Sequence, residues 1–469
     1  MKRTTVLKSA AVLGVASLAL AACGGSSSSS ESSTSAAPAA SSAAPAASSA
    51  APAASSAAPA ASSAAPASTG VPLYLVDGNT GNALGEKLPA GTLNGVKGTI
   101  PGAENTQEFK DALLGVDPNL KDFAYAPESY DAVIVAALGA AKAKSDAGVD
   151  VAKELVAITN GTEACLTYAE CLKGIADGKD IAYNGRSGNI NFWEAGDPTT
   201  ATIGVYTFGA DNTLQPDVTF MTGEIKPEGT ANPIDGVVQK GANDGTWTVG
   251  TFLPVTGSLA FLGPPEIAGV QLAINDIEAA GGIPGIDKIV LEEGDSGDTS
   301  TQTGVQTVKR LLPKGIDVLI GAASSSSTLA VLDQVTNAGV LMISPANTSP
   351  ALTTAPDHGL YWRTAPSDVL QGAFLGSLIL QDGYTNVAIM QLQDSYGDGL
   401  AANVEKSITE GGGTVAIKVV YDPKATDFSA DVAKVKAAGP DAVVLIGFDE
   451  SAQIIQELVK QGIGPNSAG

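Results

Sequence analysis

The side chains able to do chemistry are few, and they cluster at the ends of apolar runs. Asp77 closes the run in VPLYLVDGNTGN (71–82), and a series of hydroxyls, Ser324 to Thr328, follows IDVLIG (316–321). SPANTSP (344–350) follows VLMIS (340–344), Tyr396 lies in SYGDGLA, and Phe448 and Asp449 end DAVVLIGF (441–448). The chain has one histidine, His358, and three cysteines, Cys23, Cys165 and Cys171. A lone histidine in a loop leaves no base for Ser-His-Asp chemistry and no His-rich metal site. There is no Walker loop and no GxSxG, and DSGDTS (295–300) has no glutamate twelve places along from Asp295 to complete a calcium loop. These groups suit recognition better than turnover, so the reading is a binding protein with no cofactor or metal, and not an enzyme. A carboxylate before glycine is an ordinary turn residue, but at the end of a buried strand its charge calls for a cation. Hydroxyls at a helix start either cap its N–H groups or, with them, hold an anion.

The elements carrying these residues alternate. Apolar, β-branched runs at 246–253, 288–293, 316–321, 340–344, 385–393, 414–422 and 441–448 read as strands. Between them lie amphipathic stretches such as 265–282 and 399–413, and a helix is expected from the Ser324–Thr328 hydroxyls to about Ala338. Strand–helix alternation with nearly continuous apolar strands predicts parallel sheets covered on both faces. A division near TAPSD (364–368) gives an α/β chain of two lobes. The order is unusual. DESAQIIQELVKQGIGPN (449–466) is a helix wanting a strand, and VPLYLVDG is a strand wanting a helix. Joined, they make a complete βαβ unit. Trp247, after the turn-rich stretch 226–244, looks like the opening of a domain. The expectation is a circular permutation.

The first residues, MKRTTVLKSAAVLGVASLALAAC, have the basic start, short apolar run and small-residue site of an export signal. Leu20-Ala21-Ala22-Cys23 resembles the lipobox of bacterial lipoproteins, in which the cysteine is lipidated. If Cys23 is so used, Cys165 and Cys171 remain as an even pair in an oxidising setting, where a small disulfide loop is expected. From Gly24 to Gly70 the chain repeats SSAAPAA, with Pro38, Pro45, Pro52, Pro59 and Pro66 seven apart. Proline in every repeat forbids a coiled coil, and the stretch reads as a tether reaching on the order of 145 Å. The formal charge is −23, and Lys2, Arg3 and Lys8 of the signal contribute +3, leaving −26 for the mature chain. So acidic a chain is a poor partner for nucleic acid. The expected divisions are 1–23 signal and lipobox, 24–70 tether, 71–225, connector 226–246, 247–365 (lobe 1) and 366–469 (lobe 2). Within 71–225, residues 71–126 are assigned to lobe 2, 127–200 mainly to lobe 1, and 201–225 to a tail near the hinge.

From Trp247 onward the chain resembles the solute-binding proteins of branched-chain amino acid ABC transporters, the Leu/Ile/Val-binding class of type I periplasmic binding proteins. The motifs are TFLPVTGSLAFLGPPEIAGVQLAINDIEAAGGI, IGAASSSSTLAV, MISPANTSPALT, RTAPSDVLQG, QDSYGDGLA and YDPKATDFSADVAKVKAAGPDAVVLIGFDES. The family's C-terminal half comes first here, as LYLVDGNTGN, GVKGTIPGA, APESYDAVIVAALGAA and a late strand NINFWEAGD. The resemblance implies a two-lobed type I periplasmic-binding-protein fold, circularly permuted, that closes on a ligand. It places Ser325 on the ligand carboxylate, Ala346 and Thr348 on its carboxylate and ammonium, and Asp77 on the ammonium. Tyr396 faces the ligand, Phe448 stands where the family often has a tyrosine, and Phe261 and Leu262 help line the side-chain pocket. The implied function is a monomeric, lipid-anchored protein on the outer face of a bacterial membrane, delivering an amino acid or related small zwitterion to an ABC permease. A ligand-sensing receptor of the same fold is the alternative, and a cell-surface hydrolase lacks an activating base. If the two halves do not pack within one chain, exchange between chains is the alternative.

Overall fold

The computed structural model describes residues 70–226, 229–234 and 236–466. The signal peptide, Cys23 and the Ala/Ser/Pro repeat to residue 69 lie outside them. The chain begins with β1 (Leu73–Leu75), α1 (Asn82–Gly85), β2 (Lys97–Pro101) and α2 (Gln107–Val116). Helices α3 (Ala126–Ala143) and α4 (Gly148–Thr159), strand β3 (Glu163–Cys165) and helix α5 (Tyr168–Ala176) follow. Then come β4 (Ile181–Gly185), β5 (Gly188–Asn189), β6 (Thr200–Thr207) and β7 (Thr219–Glu224). Beyond the connector run β8 (Thr246–Phe252), α6 (Gly263–Ala279), β9 (Lys288–Glu292), α7 (Thr303–Leu311) and β10 (Val318–Gly321). After them are α8 (Ser325–Leu329), α9 (Leu332–Thr336), β11 (Leu341–Ser344) and β12 (Tyr361–Arg363). The last stretch is α10 (Asp368–Gln381), β13 (Asn386–Leu392), α11 (Ser395–Glu410), β14 (Thr414–Tyr421), α12 (Ser429–Ala438), β15 (Ala442–Ile446) and α13 (Ser451–Lys460).

Two larger sheets organise these elements into two α/β lobes. The sheet of lobe 1 has the order β12-β11-β10-β8-β9, all parallel. That of lobe 2 runs β14-β13-β15-β1-β2-β6-β7, with β6 and β7 antiparallel. The buried, β-branched faces of β10 and β15 explain their central places, since helices cover both sides of each sheet. Helix α3 is apolar almost all round and is buried over most of its length against lobe 1. On lobe 2, α10 meets α11 at Gly372 and Gly376, where an added Cβ would come within 2.5 Å of the Asn403 and Ser407 side chains. Small residues four apart on α10 therefore set how closely those helices approach.

The strand in VPLYLVDG lies between β15 and β2, parallel to both, with Leu73 opposite Val443 and Tyr74 opposite Val444. The helix whose chain direction suits it is α13, which begins just beyond β15. Lobe 2 is thus completed by segments from the two ends of the described chain. Residues 201–225, expected as a tail near the hinge, hold nearly all of β6 and β7, which extend the lobe 2 sheet at its edge. The late strand expected at NINFWEAGD is not one. Beyond the last residue of β5 it holds only an isolated bridge, Phe192 to Pro198, because Asn191 takes a left-handed conformation (φ 40°) and Gly196 turns the chain. The helix expected from the hydroxyl run to Ala338 is broken in two, α8 and α9, because Val331 leaves helical geometry (φ −124°, ψ −6°). The connector is fastened to lobe 1 through Gln239, which donates to Asp317 at 2.7 Å and accepts from the Gly148 N–H at 2.7 Å. Cys165 and Cys171 form a disulfide between β3 and α5, with Cα atoms 5.3 Å apart. Among the described residues no helix is long and apolar enough to cross a membrane.

Burial sets a pH dependence. Desolvation pushes Glu128 up to about 8 and Asp317 to about 7, against ordinary values of 4.5 and 3.8. The folded chain therefore keeps protons that the unfolded chain releases, and the stability they supply is lost as pH rises through 7 to 8. The unfolding midpoint should fall between pH 5 and pH 8, and fall less in Glu128→Gln. Calorimetry across that range showing a flat or rising midpoint would contradict the assignment.

Candidate functional site

In a parallel sheet the strand ends face one edge, and the loops leaving them form the crevice where ligands collect. The two lobes turn such edges toward each other. Lobe 2 supplies Asp77 after β1, Phe448 after β15 and Tyr396 from the first turn of α11, which follows β13. Lobe 1 supplies Ser324 and Ser325 after β10, Ala346 after β11, and Leu259 and Leu262 from the loop before α6. With Tyr125 these surround one small cavity of about 10 Å³, room for roughly one water molecule. The lobes are closed on each other here, and their side chains fill the space between them.

Asp77 is the centre of the lobe 2 wall. It is 5% exposed, and its carboxyl accepts from the Tyr396 hydroxyl at 2.6 Å, the Tyr125 hydroxyl at 2.7 Å and Gln371 Nε2 at 2.8 Å. Desolvation still raises its pKa, and these three donors only partly oppose the shift. The Tyr396 ring is stacked on Phe448, with centroids 5.5 Å apart. Beside Asp77 stands a second carboxyl, Asp368, fully buried at the start of α10. Among the described residues neither of its oxygens makes a well-formed hydrogen bond, nor does the buried Thr348 hydroxyl, although Thr348 lies close enough to favour the Asp368 carboxylate and the Asp368 N–H donates to the Thr348 carbonyl at 2.7 Å. Burial and the neighbouring Asp77 raise Asp368 well above the usual carboxylate range. Two adjacent acids form a set of acceptors that an ammonium satisfies.

The lobe 1 wall is built from hydroxyls and backbone. Ser324 caps α8, its Oγ accepting from the Ser327 N–H at 3.2 Å, while Ser325 Oγ accepts from the Ser349 N–H at 3.3 Å. The Ala346 N–H donates to Ser344 Oγ at 3.2 Å. Arg363 holds the 344–350 loop from beneath. It is fully buried, donates to the carbonyls of Asn347 (3.2 Å) and Ser349 (2.9 Å), and pairs through two nitrogens with Asp197 at 2.7 and 2.9 Å. Across the cleft the lobes are clasped by serines. Ser326 Oγ donates to Asp394 Oδ2 at 2.9 Å, and Ser349 Oγ donates to the Ser395 carbonyl at 2.8 Å.

Asp77, Ser325, Ala346, Tyr396, Phe448 and Leu262 thus share one cavity, whereas Thr348 lies behind it and Phe261 faces a neighbouring chamber. Asp449, next to Phe448, turns outward and pairs with Lys87 at the surface. Sequence reasoning missed Tyr125, Gln371 and Asp368. Asp368 and Gln371 lie in RTAPSDVLQG, where a buried carboxylate three residues from an amide was the available signal. Tyr125 sits in an irregular segment and holds a left-handed conformation (φ 59°), which nothing in its neighbours announces.

Residues 246–468 match the family model described as periplasmic binding protein. The chain is 31% identical over 226 residues to the leucine-, isoleucine-, valine-, threonine- and alanine-binding protein of Pseudomonas aeruginosa, covering 46% of this chain and 59% of that one. It is 34% identical over 211 residues to the Leu/Ile/Val/Thr-binding protein of Salmonella typhimurium, covering 45% and 57%. The matched part thus spans less than two thirds of these curated relatives. Among solved structures, the branched-chain amino acid transporter substrate-binding protein of Streptococcus pneumoniae in complex with isoleucine is 27% identical, with coverage of 46% and 62% and a TM-score of 0.41.

Removing Asp197 would leave the Arg363 charge buried with only neutral partners. Asp197→Ala should destabilise the protein by about 3–5 kcal/mol, and replacing Arg363 by Met in the same chain should recover part of that loss. Denaturant unfolding of the single and double variants checks both, and a loss under 1 kcal/mol would show that the pair carries little.

Proposed function

We propose that this chain, which resembles the branched-chain amino acid class of type I periplasmic binding proteins, captures an amino acid or related small zwitterion between its lobes and presents it to an ABC permease. The observation that carries this reading is the pairing of opposed walls. The buried carboxyl of Asp77, with Asp368 behind it, lies on one side of the crevice, and Ser325 with the first turn of α8 lies on the other. An ammonium suits the first wall and a carboxylate the second. A cavity of about 10 Å³ is too small for any amino acid, so loading requires the lobes to part and then re-close around the ligand. The Ser326–Asp394 and Ser349–Ser395 contacts would re-form on closure. In the loaded protein the Tyr125 and Tyr396 hydroxyls keep Asp77 oriented while an ammonium replaces part of the donor set.

The segment order belongs to the same proposal. The parallel pairing of β1 with β15, beside α13, supports a circularly permuted arrangement in which 71–225 supplies the family's C-terminal half. Cys23 would carry the lipid, and the Ala/Ser/Pro repeat would hold the lobes away from the membrane.

Thermal unfolding with a panel of leucine, isoleucine, valine, threonine, alanine, short amides and urea tests the reading. At least one zwitterion should raise the midpoint by several degrees, and Asp77→Ala and Ser325→Ala should each weaken its binding at least tenfold, about 1.4 kcal/mol. Ser326→Ala, which removes only a closure contact, should weaken binding less. If no member of the panel shifts the midpoint, the transport reading fails.

A further inference from the structure

A second space adjoins the crevice. It measures about 180 Å³ and lies between the end of β2, the 121–128 segment and Phe261, sharing Tyr125 and Leu262 with the Asp77 cavity. Its chemistry differs from an aliphatic pocket. Glu128 lines it and is only 2% exposed; its backbone carbonyl accepts from the Thr364 hydroxyl at 2.8 Å, whereas its carboxyl accepts from its own N–H and, among the described residues, from no other side chain. The Asn105 Oδ1 and Thr80 Oγ1 atoms are buried there without hydrogen-bond partners among the described residues. Asp122, with burial raising its pKa, accepts from Asn82, both from its backbone N–H and from Nδ2 at 2.6 Å. The aromatic rings of Phe123, Tyr206 and Phe261 form the remaining walls. Two lysines reach the chamber, but Lys121 is exposed and tied to Glu86 at 2.6 Å, and Lys110 stands over the Phe123 ring, 5.9 Å from its centroid. The interior therefore offers oxygen acceptors with few donors to meet them.

We propose that the captured zwitterion carries an extended side chain ending in an N–H donor, an ammonium, guanidinium or carboxamide, seated in this chamber against Glu128 and Asp122. The inference rests on the amino-acid reading of the Asp77 crevice and names the ligand class within it. A branched aliphatic side chain would fill the neck at Tyr125 and Leu262 but leave the buried acceptors unmet, and a site built to hydrogen-bond discriminates strongly against a ligand lacking the group. The aromatic walls add attraction for a cationic end.

Isothermal titration of the full chain with lysine, arginine and glutamine, against leucine, isoleucine and valine, tests the proposal. At least one of the first three should bind tenfold or more tightly than any of the second. Lysine and arginine over glutamine would identify a cationic end, and the reverse a carboxamide. In both Glu128→Gln and Glu128→Leu the ratio of affinities should shrink at least fivefold, with the unfolding midpoint showing that each variant is folded. Leucine, isoleucine or valine binding as tightly as the others would overturn this inference and leave the amino-acid reading standing. No binding by any of the six would overturn this inference, and only silence across the wider thermal panel as well would overturn the amino-acid reading.

Discussion

The buried pair of Arg363 and Asp197 is the interaction on which the site most depends. Arg363 ends the last strand of lobe 1, and Asp197 lies in the segment just before β6, so the pair ties together two places where the chain passes between lobes. The remaining donors of the guanidinium hold the Asn347 and Ser349 carbonyls and the Thr353 hydroxyl. One side chain thus fixes both a crossing segment and the loop that carries Ala346, Thr348 and Ser349. A hydrophobic pair of the same volume could fill that space, but it could not orient three backbone and hydroxyl acceptors at once. The position of Ser349 matters again across the cleft, because its hydroxyl meets Ser395 on lobe 2. Hinge geometry and lobe closure therefore share a single anchor.

A second constraint is the number of acids kept out of water in a chain already strongly acidic. Asp77, Glu128, Glu266 and Asp368 are all nearly or fully buried, and desolvation raises each of them. Such groups cost least when protonated or when a cation reaches them. The arrangement is not even. Asp131, also fully buried, accepts from the Tyr183 and Ser187 hydroxyls and from the Arg186 and Ser187 N–H groups, so its environment is complete. Asp368 and Glu128 have no such shell, and they stand beside the crevice and its adjoining chamber. Glu266 on α6 is also without partners for either oxygen among the described residues, but it lines neither space.

The fold was readable in the sequence because its main signals are local and strong. Continuous apolar runs such as DAVVLIGF and IDVLIG can only be central strands, and the turn residues that follow them mark the sheet edge where Ser325, Ala346 and Phe448 were sought. The failures have equally local causes. Val331 interrupts the helix after the hydroxyl run although its neighbours Leu329 and Leu332 keep helical spacing. NINFWEAGD alternates like a strand but is held as a turn by Asn191 and Gly196. Within the site, what escaped was the packing around Asp77. Sequence spacing gives no hint that Tyr125, Gln371 and Tyr396, drawn from three distant segments, converge on one carboxyl.

That convergence bears on how two segments so far apart in sequence can build one site. The loop carrying Asp77 is secured by Asn79, whose side chain donates to the Leu445 carbonyl at 3.0 Å and to Ser451 Oγ at 2.9 Å while accepting from the Val76 N–H at 2.9 Å. Gly78 is pressed against the same segment, where an added Cβ would come within 2.7 Å of the Gly447 carbonyl and 2.8 Å of the Phe448 ring. These contacts join residues more than 360 apart in the chain. Hydrogen bonds and close packing need proximity and not covalent succession, so a strand can be gripped by β15 and α13 without being linked to them. Strand β1 is only three residues long, and the loop beyond it is held through Asn79 as well as through the strand ladder. Asn79 therefore anchors the loop, and Tyr125, Tyr396 and Gln371 hold the carboxyl that the loop carries.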